Sequence, residues 1–285
     1  MAEVAVTTAG RRWRKPPFIR NPILRWGMAV GAVIYLALAV YSILGDVNWI
    51  RVYEGFDRGA KFLGGFFPPY PFSRMIEEGQ FAVGVERWHD ISAGLIESLT
   101  MTVTSTVLGI LISVPIGLGA ARNIAPMPVY FVCRAIIAVS RSFQEVIIAI
   151  FLVAMFGFGP FAGMITLSFA TIGFLSKLLA EDIEDMDPAQ AEAIRATGSR
   201  WMQWINYGVQ PQVMPRLIGL SLYRLDINFR ESSVVGIVGA GGIGATLNTA
   251  FDRYEYDTAA TIILIIIAIV FFAEYTSGKI RARVQ

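Results

Sequence analysis

The chain reads as an all-α integral membrane protein of six transmembrane helices with one polar helical elbow at a membrane face. Three observations predict this. Only 16% of its 285 residues are charged while 55% are hydrophobic, and mean hydropathy is +0.56; soluble domains carry more charge. The apolar residues come in runs long enough to cross a bilayer, which takes about 20 residues as a helix. The longest polar segment with helical patterning, Asp187 to Pro215, lies between such runs.

Composition also excludes several classes. A net charge of +2 is too small for nucleic-acid binding. Cys133 is the single cysteine and His89 the single histidine, so disulfide frameworks, thiolate metal sites and His-pair metal motifs are ruled out. Gly278-Lys279 is followed by Ile280, not by Ser or Thr, and Ala273 stands where a phosphate loop needs its first glycine. The chain should therefore hydrolyse no ATP itself.

Taken in order, residues 1–25 form a basic arm with Arg11, Arg12, Arg14, Lys15, Arg20 and Arg25. Trp26 to Leu44 is the first span. Its length and long basic lead favour a span over a signal peptide, despite Ala37-Leu38-Ala39. Residues 46–90 are a long external segment rich in aromatics, among them Trp49, Phe56, Phe66, Tyr70, Phe72 and Trp88. Aromatics favour the headgroup zone, so short interfacial helices are expected there, with His89 incidental. Together 26–90 make one region and 91–277 the five-helix core.

The second span, Ile91 to Ala121, carries Glu97, a Thr100/Thr102/Thr104/Thr106 ladder, and Pro115, expected to kink it. The third runs from about Val129 to Phe156 and the fourth from Pro160 to Leu179, joined by a short Gly157–Pro160 turn. The fifth runs from about Val213 to Val238. Gly239 to Asp257 is an outer loop, and Thr258 to Tyr275 is the sixth span. Residues 278–285 are a basic tail with Lys279, Arg281 and Arg283. An even number of spans puts both termini on one side. The arm, Arg122, the elbow with Arg195 and Arg200, and the tail fall together, so the positive-inside rule makes that side cytoplasmic.

In the elbow, Asp187 is placed to cap a helix, Pro188 suits its first turn, and Gln190 stands where a capping box wants a partner. Gly198 stops this helix. Ser199 is expected to cap a second one carrying Trp201, Trp204 and Ile205, ended by Gly208 and Pro211.

Ionisable groups inside spans are costly and face a bundle interior or a watery path. In the third span Arg134, Ala138, Arg141 and Glu145 share a stripe, with Arg141 and Glu145 spaced to pair. In the fifth, Ser221, Arg224, Asn228, Glu231 and Ser232 form one polar stripe, and Asp226 and Arg230 lie nearly opposite, again four apart. Asp226 and Arg230 fit a path or a structural ion pair equally. Arg224 and Asn228 read as path-lining, since a guanidinium fork matches phosphate-like oxygens. Gly239, Gly241, Gly242 and Gly244 imitate a dinucleotide loop but follow a membrane helix, so a tight re-entrant or gating turn is expected.

Two stretches carry a resemblance. Glu192-Ala193, Gly198 and Pro211 thirteen residues later resemble the EAA loop of ABC-importer permeases. Residues 97–110 (ESLTMTVTSTVLGI), 114–123 (VPIGLGAARN) and 229–244 (FRESSVVGIVGAGGIG) are similar to the phosphonate and phosphite branch of type I ABC importer permeases. The resemblance implies a permease subunit in the bacterial inner membrane whose elbow is a cytoplasmic coupling helix, with alternating access. It implies an ATPase dimer that binds ATP and Mg, an extracytoplasmic solute-binding protein and a second permease subunit, an identical copy. This chain would carry no cofactor and no metal. A sister importer for methionine, nitrate or an alkanesulfonate is the nearest rival. An intramembrane enzyme fails for want of a histidine in a span or a second facing aspartate. A passive channel would work without nucleotide.

Overall fold

The computed structural model describes residues 22–45, 47–70 and 84–284, and among these there is helix and no strand. Most of the basic arm, residues 71–83 with Phe72 and Arg74, and the side chains of Arg281 and Arg283 lie outside the described residues. The chain divides into two compact units at Leu63/Gly64. The first holds α1 (Pro22–Gly45), long and apolar enough to span, and α2 (Trp49–Gly64), an amphipathic helix with no buried residue.

The second unit is a helical bundle. Its order is α3 (Gly84–Ala120), α4 (Met127–Ser142), α5 (Glu145–Phe156), α6 (Pro160–Glu184), α7 (Pro188–Ala196), α8 (Trp201–Trp204), α9 (Gln210–Val235), α10 (Gly242–Asp252) and α11 (Tyr256–Val284). Among the described residues four helices are long and apolar enough to cross a membrane, and the count rises to six if each of two bent pairs is one span.

The α3–α6 pair is the most extensive contact in the bundle. Ser105, Gly109, Ser113 and Gly117 recur every four residues and put one narrow stripe against α6. A Cβ on Gly109 would meet Thr171 Cγ2 at 2.4 Å, and one on Gly117 would meet Leu179 at 2.8 Å. Apolar burial gives membrane helices no driving force against lipid, so close backbone approach and hydroxyl bonds hold them. Here Ser168 Oγ donates to Ser105 O at 3.3 Å and Ser176 Oγ to Ser113 O at 3.2 Å. Of the expected threonine ladder only Thr102 and Thr106 are buried, because alternate residues on a helix diverge. The helix runs unbroken past Pro115.

Three expectations change here. The third span is not continuous: α4 and α5 meet at 91° across an extended Phe143-Gln144. The fifth does not start afresh after the elbow. Gly208 and Pro211 end nothing, and a π-helical turn, Ile205–Val209, carries the ladder from α8 straight into α9. Pro211 has no N–H to close a turn onto Tyr207, and a widened turn absorbs that gap. The outer loop after Gly239 holds a helix, α10, bent by 57° from α9 and buried against α3.

Other segments settle differently as well. His89 lies in α3, not in a loop. Phe66 stacks on Tyr256 at 5.9 Å and Tyr70 is 2% exposed, so these aromatics belong to the bundle. Residues 278–284 continue α11.

Candidate coupling elbow and intramembrane polar site

The elbow forms where a polar, alanine-rich sequence leaves the bundle. Asp187 Oδ1 accepts the Ala189 N–H at 3.0 Å, so the expected N-cap forms. The reciprocal partner is not Gln190. Gln212 Oε1, from the first turn of α9, accepts the Asp187 N–H at 3.0 Å, and Gln212 Nε2 donates to Gly208 O at 2.8 Å. One side chain thus ties the start of the elbow to its exit.

Gly198 adopts φ +78° just past the helix, with its N–H on Arg195 O at 3.0 Å. Ser199 does not cap α8; its hydroxyl bonds Ile194 O, and Arg200 takes the cap position with its N–H on Gln203 Oε1 at 2.9 Å. Trp204 locks the two limbs together. Its ring is 5% exposed, its Nε1–H donates to Ala191 O at 2.8 Å, and Arg195 lies 4.6 Å over it. Glu192 and Ala193 face outward, as do Trp201 and Met202.

Beside the elbow the bundle is closed by charge. Glu184 Oε1 accepts both the Arg122 N–H and Arg134 Nη2 at 2.8 Å, and Arg134 Nε caps the end of α3 at Ala120 O. Arg134 therefore leaves the stripe it was expected to share with Arg141 and Glu145.

The intramembrane site centres on α9. Arg224 and Asn228, one turn apart, point between α3 and α6. Arg224 Nε donates to Thr171 Oγ1 at 3.1 Å, and Asn228 Nδ2 donates to Thr106 Oγ1 at 2.8 Å and Thr171 Oγ1 at 3.0 Å. The Thr171 hydroxyl itself donates to Leu167 O at 2.6 Å, so its oxygen serves two nitrogens at once. Glu145 pairs with Arg224 at 3.5 Å, not with Arg141, because the bend at Phe143-Gln144 removes the helical register between Arg141 and Glu145. Arg141, Glu145 and Arg224 line one cavity of about 430 Å³ at that bend. Asn228 lies behind it, fully buried; Glu231 is half-buried and does not line it. Asp226 and Arg230 pair with each other along α9.

The glycine run closes the opposite end of the bundle. Gly239, Gly241 and Gly242 have φ of +99°, +79° and +74°. Gly239 O accepts the Gly159 N–H at 3.0 Å, so this turn docks on the Gly157–Pro160 turn. The first amides of α10 are satisfied from α3: Gly242 N–H by Glu97 Oε2 at 2.8 Å and Ile243 N–H by Ser98 Oγ at 2.9 Å. Sequence reasoning noted Glu97 without a role.

Residues 109–284 match the family described as "Binding-protein-dependent transport system inner membrane component". The chain belongs to this family. It is therefore a membrane component of a transport system and not an enzyme. It is 41% identical over 93% of its length to the "Phosphate-import permease protein PhnE" of Mycolicibacterium smegmatis, and spans about half of that protein, 47%. It is 39% identical to the "Phosphite transport system permease protein PtxC" of Stutzerimonas stutzeri, over 66% of this chain and 68% of that one. A chain of the inward-facing MetNI methionine ABC transporter superposes with a TM-score of 0.61 at 22% identity, over 68% of this chain and 96% of that chain. That likeness fixes the fold.

Proposed function

We propose that this chain is the permease subunit of an ATP-driven importer for phosphonate, phosphite or a related phosphorus oxyanion. The observation that carries the reading is its identity of 41% and 39% to permeases named for phosphate and phosphite import. The geometry supports it. Exposed Glu192 and Ala193 on a braced elbow suit docking to a cytoplasmic ABC ATPase dimer, which binds ATP and Mg, since this chain has no phosphate loop. An extracytoplasmic solute-binding protein delivers the solute at the glycine-turn end, and a second, identical permease copy completes the path. Both termini are cytoplasmic by the distribution of basic residues.

Transport proceeds by alternating access. ATP closes the ATPase dimer and moves the elbow, and the elbow moves α9, which carries Arg224. Each ligand shifts the equilibrium by its differential affinity for the two states. A permease for methionine, nitrate or an alkanesulfonate is the alternative, and the methionine importer shares the fold.

The test is reconstitution of the permease with its co-purified ATPase and binding protein in liposomes. ATP-dependent uptake of phosphite, phosphate or methylphosphonate is expected. Uptake of methionine or nitrate instead would sink the substrate class, and uptake without nucleotide would establish a channel.

A further inference from the structure

A membrane helix opens its backbone at depth only where the freed groups are buried in protein or line a watery cavity. The α4–α5 break opens at the 430 Å³ cavity, and several donors converge there. Arg224 Nη2 is buried and has no hydrogen-bond partner, and the whole side chain is 5% exposed. Its nearest acid, Glu145 Oε1, stays at 3.5 Å, too long for a charge-assisted hydrogen bond. Arg141 lines the same cavity. Glu145 starts α5, and Gln144 gives no side-chain cap. The first α5 amides to reach a carbonyl are those of Ile147 and Ile148, both on Gln144 O. The amides of Glu145 and Val146 therefore have no acceptor inside the helix, and this end of α5 carries partial positive charge.

We infer that this cavity binds a small tetrahedral dianion, held by Arg224, Arg141 and the open amides of α5, with Glu145 as the internal counter-ion that the anion displaces. The inference rests on the phosphorus-oxyanion reading above and locates its solute. Arg141 and Arg224 bring two guanidinium groups to a lining that holds one carboxylate, Glu145, while Glu231, which also acts on Arg224, lies outside the lining; an anion in the cavity therefore meets two cations directly. A guanidinium fork and helix amides match the several oxygens of one phosphorus centre. Phe174, 5.6 Å from the Arg224 guanidinium, supplies an apolar wall where a phosphonate carries its carbon substituent. Gly173 positions the site: a Cβ there would meet Ser140 Oγ at 2.4 Å and Arg141 Cγ at 3.1 Å.

The experiment measures binding of radiolabelled phosphate, competed by phosphite and methylphosphonate, to the permease–ATPase complex in nanodiscs without the solute-binding protein. Saturable binding is expected. Arg224→Lys should weaken it about tenfold or more by losing the fork. Glu145→Gln should tighten it by up to about tenfold, because the competitor for Arg224 is gone. Arg141→Lys, at an exposed position, reads the same site if a variant at a buried position fails to assemble. A pair that only fixes packing predicts the opposite for Glu145→Gln: a weaker complex and no gain in binding. Absence of saturable binding in both the wild type and Glu145→Gln overturns the site. If phosphite uptake with the binding protein persists in that case, the site alone falls. If phosphate binds and no phosphorus oxyanion is imported, the transport reading falls and the site stands.

Discussion

At the scale of single residues, the buried polar side chains are satisfied by particular partners, and removing one partner strands the other. Asn228 is fully buried and holds Thr106 and Thr171 together across three helices. Asn228→Ala should cost roughly 1–3 kcal/mol, because the buried Thr106 oxygen loses its donor and Thr171 keeps only Arg224. Thermal unfolding of the purified complex in one detergent reads the loss. Trp204→Phe keeps most of the buried ring and removes the bond to Ala191 O; about 1 kcal/mol is expected, seen as faster amide exchange confined to residues 187–209. Arg224 and Asn228 are legible from their spacing of four within the polar stripe of α9. Thr171 is not, since it is one of four hydroxyl residues in α6, with Thr166, Ser168 and Ser176, and spacing does not single it out. Spacing gives Glu145 the wrong partner because it assumes an unbroken helix, and Ser142, whose hydroxyl turns back onto Ala138 O at 2.7 Å, gives no periodic sign that the ladder ends there.

At the scale of elements, the four unbroken span-length helices are visible because long apolar runs survive tertiary context, and the count of six holds only if each bent pair is one span. What escapes are the places where a span bends. The α9–α10 bend is one, the Gly157–Pro160 turn it docks on is another, and glycine serves the two in separate ways. At Gly244 the constraint is space: a Cβ would sit 2.0 Å from Ser233 O and 2.9 Å from Gly236 Cα. At Gly157 the surroundings are open and the constraint is φ +90° alone. Gly244→Ala should therefore destabilise the bundle by about 1–3 kcal/mol through overpacking. Gly157→Ala should cost only about 1–2 kcal/mol of backbone strain. The two melting temperatures, taken side by side, separate crowding from strain; equal losses would show that the α9–α10 bend relaxes around an added methyl group at Gly244. The glycine run is readable as a turn from its composition. Its docking on Gly159, and the capture of its amides by Glu97 and Ser98, depend on contacts 80 and 145 residues away in sequence and leave no local trace.

At the scale of the whole molecule, the elbow and the intramembrane site are joined by one helix. Trp201 to Val235 is a continuous ladder through the π-turn, so a displacement of α8 is delivered to Arg224 without a hinge between them. The entry side is different. Between α7 and α8 lies Gly198, at φ +78°, where an added Cβ would meet nothing within 4 Å, so only backbone conformation restricts what can stand there. This makes the proposed coupling separable from packing. Gly198→Asn should leave ATP-driven uptake near the wild-type level, because asparagine accepts the left-handed region through local hydrogen bonding. Gly198→Val should cost about 1–2 kcal/mol in that conformation and shift the angle between α7 and α8. The transporter should then retain ATP hydrolysis and lose most of its uptake, at equal abundance in the membrane. Uptake and hydrolysis measured on the same proteoliposomes decide the matter. If the valine variant couples as well as the asparagine variant, the turn at Gly198 transmits no motion, and the force must enter α9 through Gln212 and the π-turn instead.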